Sequence, residues 1–194
     1  MKQDFRSAYL NELKLTVSGQ NSAAIQVSNR IAAGELQIID HSFYAITPVT
    51  GTVVKMFDSS RAKDLGLNNV SLGKPSNSEL MLLTSVRLTA VTLGATPTNT
   101  SMKSAAFGNI SAIAGFQNGV ITLKSDKKVI LFEFPLSNFA NDQNQTEDQG
   151  QYFLKVPKWI IPDAAIECEL DFGGVSLAAN TVAKIELIGL CSES

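Results

Sequence analysis

The sequence predicts an all-β fold, a Greek-key sandwich of jelly-roll type, on three observations. Its dominant hydrophobic period is two, no segment of 12 or more residues carries a helical period, and turn residues punctuate the chain at short intervals. The clearest strand is "LMLLTSVRLTAVTL" (80–93), where Val86, Leu88 and Ala90 alternate with Ser85, Arg87 and Thr89. "TSMKSAAF" (100–107), "NISAIAG" (109–115), "GVITLKS" (119–125), "KVILFEFP" (128–135), "QYFLKV" (151–156), "AIECELDF" (165–172) and "VAKIELIGLC" (182–191) follow. That gives eight expected strands in residues 80–191, separated by turns such as "QNG", "SDK" and "FGG". Between the fifth and sixth lies "LSNFANDQNQTEDQGQ" (136–151), a polar stretch expected to be an exposed loop. Eight strands with short connections and one long one match a jelly roll.

Residues 1–78 have a less regular pattern. "ELKLTV" (12–17), "SAAIQV" (22–27), "GELQIID" (34–40), "SFYAIT" (42–47) and "GTVVKMF" (51–57) are expected as short strands. A loop with one helical turn at Arg61–Leu65 follows, over 58–79. The expected division is therefore an N-terminal β-rich arm or partial second roll (1–78) and a jelly-roll domain (79–194). A compact double jelly roll is the alternative.

Of the 194 residues, 44% are hydrophobic and only 18% charged, with Ser, Thr, Asn and Gln filling the difference. Polar, charge-poor surface is cheaper to desolvate against another subunit than ionic surface. Net charge is −2 and no stretch concentrates Lys or Arg, so direct nucleic-acid binding is not expected. No apolar run is long enough to span a bilayer, and "MKQDFRSAYL" lacks the layout of a secretory signal. Cys168 and Cys191, the two cysteines, are accordingly expected as reduced, buried thiols on the apolar sides of their strands, with a disulfide between them the alternative.

The chemistry-bearing residues are sparse. His41 is the only histidine, and its neighbours Asp40 and Ser42 point to the opposite strand face, so the three cannot line up as a triad. The cysteines form no CxxC pair, and no HExxH or P-loop motif occurs. Four N-x-[ST] sequons, at Asn69, Asn99, Asn109 and Asn144, are chance matches in a chain expected not to be exported.

One row of side chains bears on enzymatic function. In "AIECELDF", Ile166, Cys168, Leu170 and Phe172 share one face while Glu167, Glu169 and Asp171 share the other. Carboxylates along one strand stand roughly 7 Å apart. A hard cation needs about six converging oxygens at about 2–2.6 Å. The stripe therefore reads as a solvated or intersubunit strand face, with a cation site at a subunit interface as the alternative. No catalytic residue and no cofactor is expected. A cluster of aromatics over 132–159 includes Tyr152 and Trp159, the residues a ligand-contacting platform would use. Trp159 lies in "KVPKWIIPD", where two prolines set a kinked edge.

"SELMLLTSVRLTAVTL" (78–93), "VILFEFPLSNF" (129–139) and "GQYFLKVPKWIIPDAAIECELDFGG" (150–174) together resemble jelly-roll capsid proteins of small icosahedral, internal-membrane-containing bacteriophages with single-stranded DNA. The resemblance covers residues 78–194 and its motifs are loose. It implies a non-enzymatic virion protein, made in the host cytoplasm, that self-assembles as trimers or pentamers with other capsid proteins over a viral membrane. Major capsid proteins of such phages carry two rolls in one chain, so a chain of 194 residues fits a compact double roll or a single-roll vertex or minor protein. No functional residues carry over, because that family has no catalytic motif. Two alternatives are a lectin- or adhesion-like binding module, using Tyr152 and Trp159, and a phage spike accessory protein.

Overall fold

The computed structural model describes residues 7, 9–11, 13, 22–140 and 149–193. In chain order its elements are α1 (Ser22–Ala32), β1 (Gln37–Pro48), β2 (Val53–Lys55), β3 (Met81–Thr92), α2 (Asn99–Lys103), β4 (Val120–Ser125), β5 (Lys128–Pro135), β6 (Gln151–Ile160), β7 (Ile166–Asp171) and β8 (Thr181–Glu193). Short 3-10 turns lie at Ile110–Ala112, Phe116–Asn118 and Leu136–Phe139.

The strands form two four-stranded antiparallel sheets, ordered β1-β8-β3-β6 and β2-β7-β4-β5. First pairs with last: β1 with β8, β2 with β7, β3 with β6, β4 with β5. The chain is thus one long hairpin wrapped around a sandwich, which is the jelly-roll topology. One roll forms among the described residues, not two.

The alternation of β3 holds: Val86, Leu88 and Ala90 enter the space between the sheets, with Phe43, Leu123, Cys168, Leu170, Ile185 and Leu187. A bulge at Thr84 interrupts β3, so Met81 and Leu83 also face inward while Leu82 faces out. Opposite the bulge β8 carries Gly189, where a Cβ would lie 2.1 Å from the Leu82 carbonyl oxygen. The outer face of the first sheet is covered at both ends. At one end Tyr9, Leu13 and Val27 pack on Leu80, Leu82 and Leu190; at the other, Leu67 and Met102 pack on Ile46 and Val182.

Several expected elements are corrected. The two sheets do contain eight strands, but β1 and β2 come from residues 37–55, while 100–107 and 109–115 supply none. Residues 99–103 form α2 because Thr98 caps it: its hydroxyl accepts from Ser101 N, and Ser101 Oγ accepts from Thr98 N. At 109–112 the Asn109 side chain accepts from Ser111 N and starts a 3-10 turn. Segment 22–27 belongs to helix α1, whose Val27 and Ile31 stand four apart and dock on the sheet. The expected strand at 12–17 lies outside the described residues except for Leu13, which is helical. Segments 34–40 and 42–47 merge into the single strand β1. The helical turn at Arg61–Leu65 does not form; Leu67 N and Asn68 N instead donate to Asp64 O in a tight turn. The expected boundary at 78/79 separates no sheet, since β1 pairs with β8 over its whole length and β2 pairs with β7. Of the expected loop at 136–151, residues 136–139 form a 3-10 turn and 141–148 lie outside the described residues.

Candidate interaction surface

The carboxylate stripe lies on the outer face of β7, as the alternation requires. Its neighbours are lysines. Lys124 on β4 stands opposite Glu167, with Nζ 4.0 Å from Oε2, and Lys55 on β2 stands opposite Glu169. Asp171 turns away to accept from Gly173 N at 2.8 Å. The three carboxylates therefore run in a row and do not converge. Among the described residues, no three His, Cys, Asp or Glu side chains gather closely enough to hold a metal ion.

Tyr152 and Trp159 share β6 but not a surface. Tyr152 is half-buried in a ring cluster, 4.6 Å from Phe134 and 6.0 Å from Phe139 between centroids, which ties β6 to β5 across the sandwich. Trp159 lies on the other side of its sheet, edge-on to Tyr9. Four residues of β6 (154–157) sit opposite the single residue Thr84 of β3, and this bulge separates the two rings. They form no common platform.

Cys168 and Cys191 are free and buried, in opposite sheets. Burial pushes both thiols far above their ordinary range, and Glu169 adds to the effect on Cys168. His41 packs edge-on against Phe43, at 5.2 Å.

Sequence reasoning missed a polar network on the outer face of the first sheet. Glu186 contacts Lys184 at 2.9 Å and Arg87 at 3.7 Å, Arg87 donates to Gln151 Oε1, and Gln151 donates to Ser85 Oγ. The pairing of β3 with β8, which brings Arg87 opposite Glu186, is invisible until the strand order is known.

Open edges matter more. The outer edge of β1 is closed by the chain's own loop: Asn69 accepts from Tyr44 N and donates to Ser42 O, and Ile46 N donates to Leu67 O. At the other side of the sandwich β5 and β6 both end their sheets. Here Phe132 is 65% exposed, Phe153 60%, Val156 61% and Val129 48%. Phe132 points to solvent by alternation with buried Leu131, and Phe153 by alternation with inward Tyr152. A backbone φ of 43° at Glu133 interrupts β5 and turns Phe134 inward, while the bulge with Pro157 interrupts β6. Those two irregularities also block ladder extension, which leaves side-chain packing as the mode of contact. The sequence signal was present in "FEF" and "VPK", but only the bulges tell which ring is inside.

No helix among the described residues is long and apolar enough to cross a membrane. No protein-family model and no curated protein matches the chain.

Proposed function

We propose that this chain is a structural subunit that assembles with copies of itself, as a major or vertex/minor protein of a small icosahedral bacteriophage capsid. The observation that carries self-assembly is the β5/β6 side, which holds four of the eight large hydrophobic side chains exposed among the described residues. The two phenylalanines alone leave on the order of 250 Å² of ring surface open. Phe132 follows the inward Leu131 and Phe153 follows the inward Tyr152, so the two rings stand on the outer faces of opposite sheets at the same edge and offer two small apolar contacts. Each is far below the roughly 800 Å² per partner of a standard interface and would need a surrounding polar rim. The assignment to a capsid is supported by the resemblance over residues 78–194 and by the jelly-roll strand order.

The test is the mass of the purified chain by size exclusion with light scattering, with and without divalent cation. Trimers, pentamers or shell-sized particles are expected, and Phe132→Ser with Phe153→Ser should shift them to monomer without changing the circular dichroism spectrum. A wild-type chain that stays at its 20.8 kDa monomer mass at every concentration overturns the reading. Assembly that appears only with cation would return the Glu167–Glu169–Asp171 row as an interface metal site.

A further inference from the structure

The turn that leads into β4 carries a reactive pair. Asn118 and Gly119 form the one Asn-Gly dipeptide in the chain. In such a pair the backbone nitrogen of the glycine can attack the asparagine Cγ. A C–N bond forms, the side-chain nitrogen leaves as ammonia, and a five-membered succinimide results. Water then opens the ring at either carbonyl, giving aspartate or isoaspartate, and no other reactant is needed. Glycine makes the pair reactive because it sets no side chain against the ring and leaves the backbone free to turn.

The fold treats the two residues differently. Asn118 is exposed, whereas Gly119 is buried. The Gly119 N–H donates to Phe116 O at 3.3 Å, and its carbonyl accepts from Leu136 N at 2.9 Å. A Cβ on Gly119 would lie 2.6 Å from the Asp171 carbonyl oxygen and 2.9 Å from Cδ1 of Phe172. Phe116, which starts the turn, is fully buried and stands edge-on to Phe172 at 5.1 Å. Ring closure needs the Asn118 Cβ and the Gly119 nitrogen nearly eclipsed about Cα–C, about a quarter turn from the ψ of a 3-10 helix. That rotation cannot occur while Gly119 N is bonded to Phe116 O and its backbone lies against Asp171.

We propose that Asn118–Gly119 is a modification site gated by the fold: it is silent in the closed sandwich, converts once this corner opens, and as isoaspartate bars the corner from closing again. Isoaspartate routes the main chain through its own Cβ, which adds one methylene between the Phe116 anchor and β4. The extra atom falls beside Gly119, where even a single Cβ has no room against backbone. It therefore displaces the first rung of β4, where Val120 stands opposite Asp171 on one side and Pro135 on the other. Aspartate keeps the chain length and changes only an exposed side chain, so it leaves the corner able to close.

The test warms the full-length chain at neutral pH, native in buffer and unfolded in guanidinium chloride. Mass spectrometry with chromatography then separates the asparagine, aspartate and isoaspartate forms of the tryptic peptide carrying residue 118. Conversion should run at least tenfold slower in the native chain, an opening free energy of at least about 1.4 kcal/mol. After the denaturant is removed, the refolded fraction should hold asparagine and aspartate, and isoaspartate should collect in the fraction that stays unfolded. Asn118→Asp should melt close to wild type, and Asn118→Gln should refold fully after the same treatment. Equal conversion rates in the two states overturn the gating. Isoaspartate found in the refolded fraction at its share of the whole, or an equal loss of refolding in Asn118→Gln, overturns the block to closure. An Asn118→Asp chain that does not fold overturns chain length as its cause.

Discussion

The ring of Tyr9 stands edge-on to that of Trp159, 5.1 Å between centroids and 80° between planes, while its hydroxyl donates to the Leu80 carbonyl at 3.0 Å. This pair locks the N-terminal helical residues onto the outer face of the first sheet. Tyr9→Phe keeps the ring and loses the hydrogen bond, so it should cost about 1 kcal/mol in urea unfolding. Tyr9→Ala should cost roughly 3–5 kcal/mol and shift Trp159 emission to the red as water reaches the indole. An unchanged emission maximum would show that Tyr9 does not cover Trp159 in solution.

Gly189 is fixed by sterics. A methyl group there meets the Leu82 carbonyl oxygen at 2.1 Å and the Leu83 Cα at 3.0 Å, both backbone atoms of a central strand that cannot swing aside. Gly189→Ala should destabilise by about 2–3 kcal/mol. Gly94→Ala, where nothing lies within 4 Å, is the control and should leave the denaturation midpoint nearly unchanged.

The β4–β5 turn has room for improvement. Asp126 and Lys127 form its two-residue loop with φ of 46° and 65°, a left-handed pair that suits Asn-Gly far better than a long side chain. Asp126→Asn with Lys127→Gly should raise stability by about 1 kcal/mol, read as a higher urea midpoint at an unchanged slope.

Alkali should unfold the chain early. Burial raises the ionisation of Cys168, Cys191 and Tyr9 in the folded state. Unfolded Cys and Tyr release their protons near about pH 8.5 and 10. Above those values the unfolded chain binds fewer protons than the native one, so stability falls as pH rises, by up to roughly 1.4 kcal/mol per pH unit for each group. Below about pH 8 these groups add no slope. Replacing both cysteines by alanine should flatten the alkaline limb, and in the native protein neither thiol should react with a disulfide reagent until the chain unfolds.

Period-two alternation made β3, β7 and β8 legible in advance, down to the wet face of Glu167, Glu169 and Asp171. What misled was short segments of small and β-branched residues. "TSMKSAAF" and "NISAIAG" look extended by composition, but Thr98 and Asn109 cap their backbones locally, a choice that hydrogen bonds settle and side-chain alternation does not register. The place of β1 was illegible for a different reason. Its partner β8 lies at the far end of the chain, and nothing local marks a strand for a sheet finished so much later. That Phe134 turns inward while Phe132, two residues before it, faces out was hidden by irregularity, because a bulge changes the face of every residue beyond it.

That first-with-last pairing also sets a timetable. Gln37 lies opposite Glu193 and Pro48 opposite Val182, while β8 holds β1 on one side and β3 on the other. As the ribosome releases the chain, β1 and β3 must wait for the strand that joins them until Thr181–Glu193 has been translated. Their apolar faces stand open until then, and folding that depends on such distant pairings is slow. Loss of residues 181–193 would leave the first sheet without the strand that joins β1 to β3, so a product truncated before them cannot form the sandwich. The sandwich becomes foldable only once β8 has emerged.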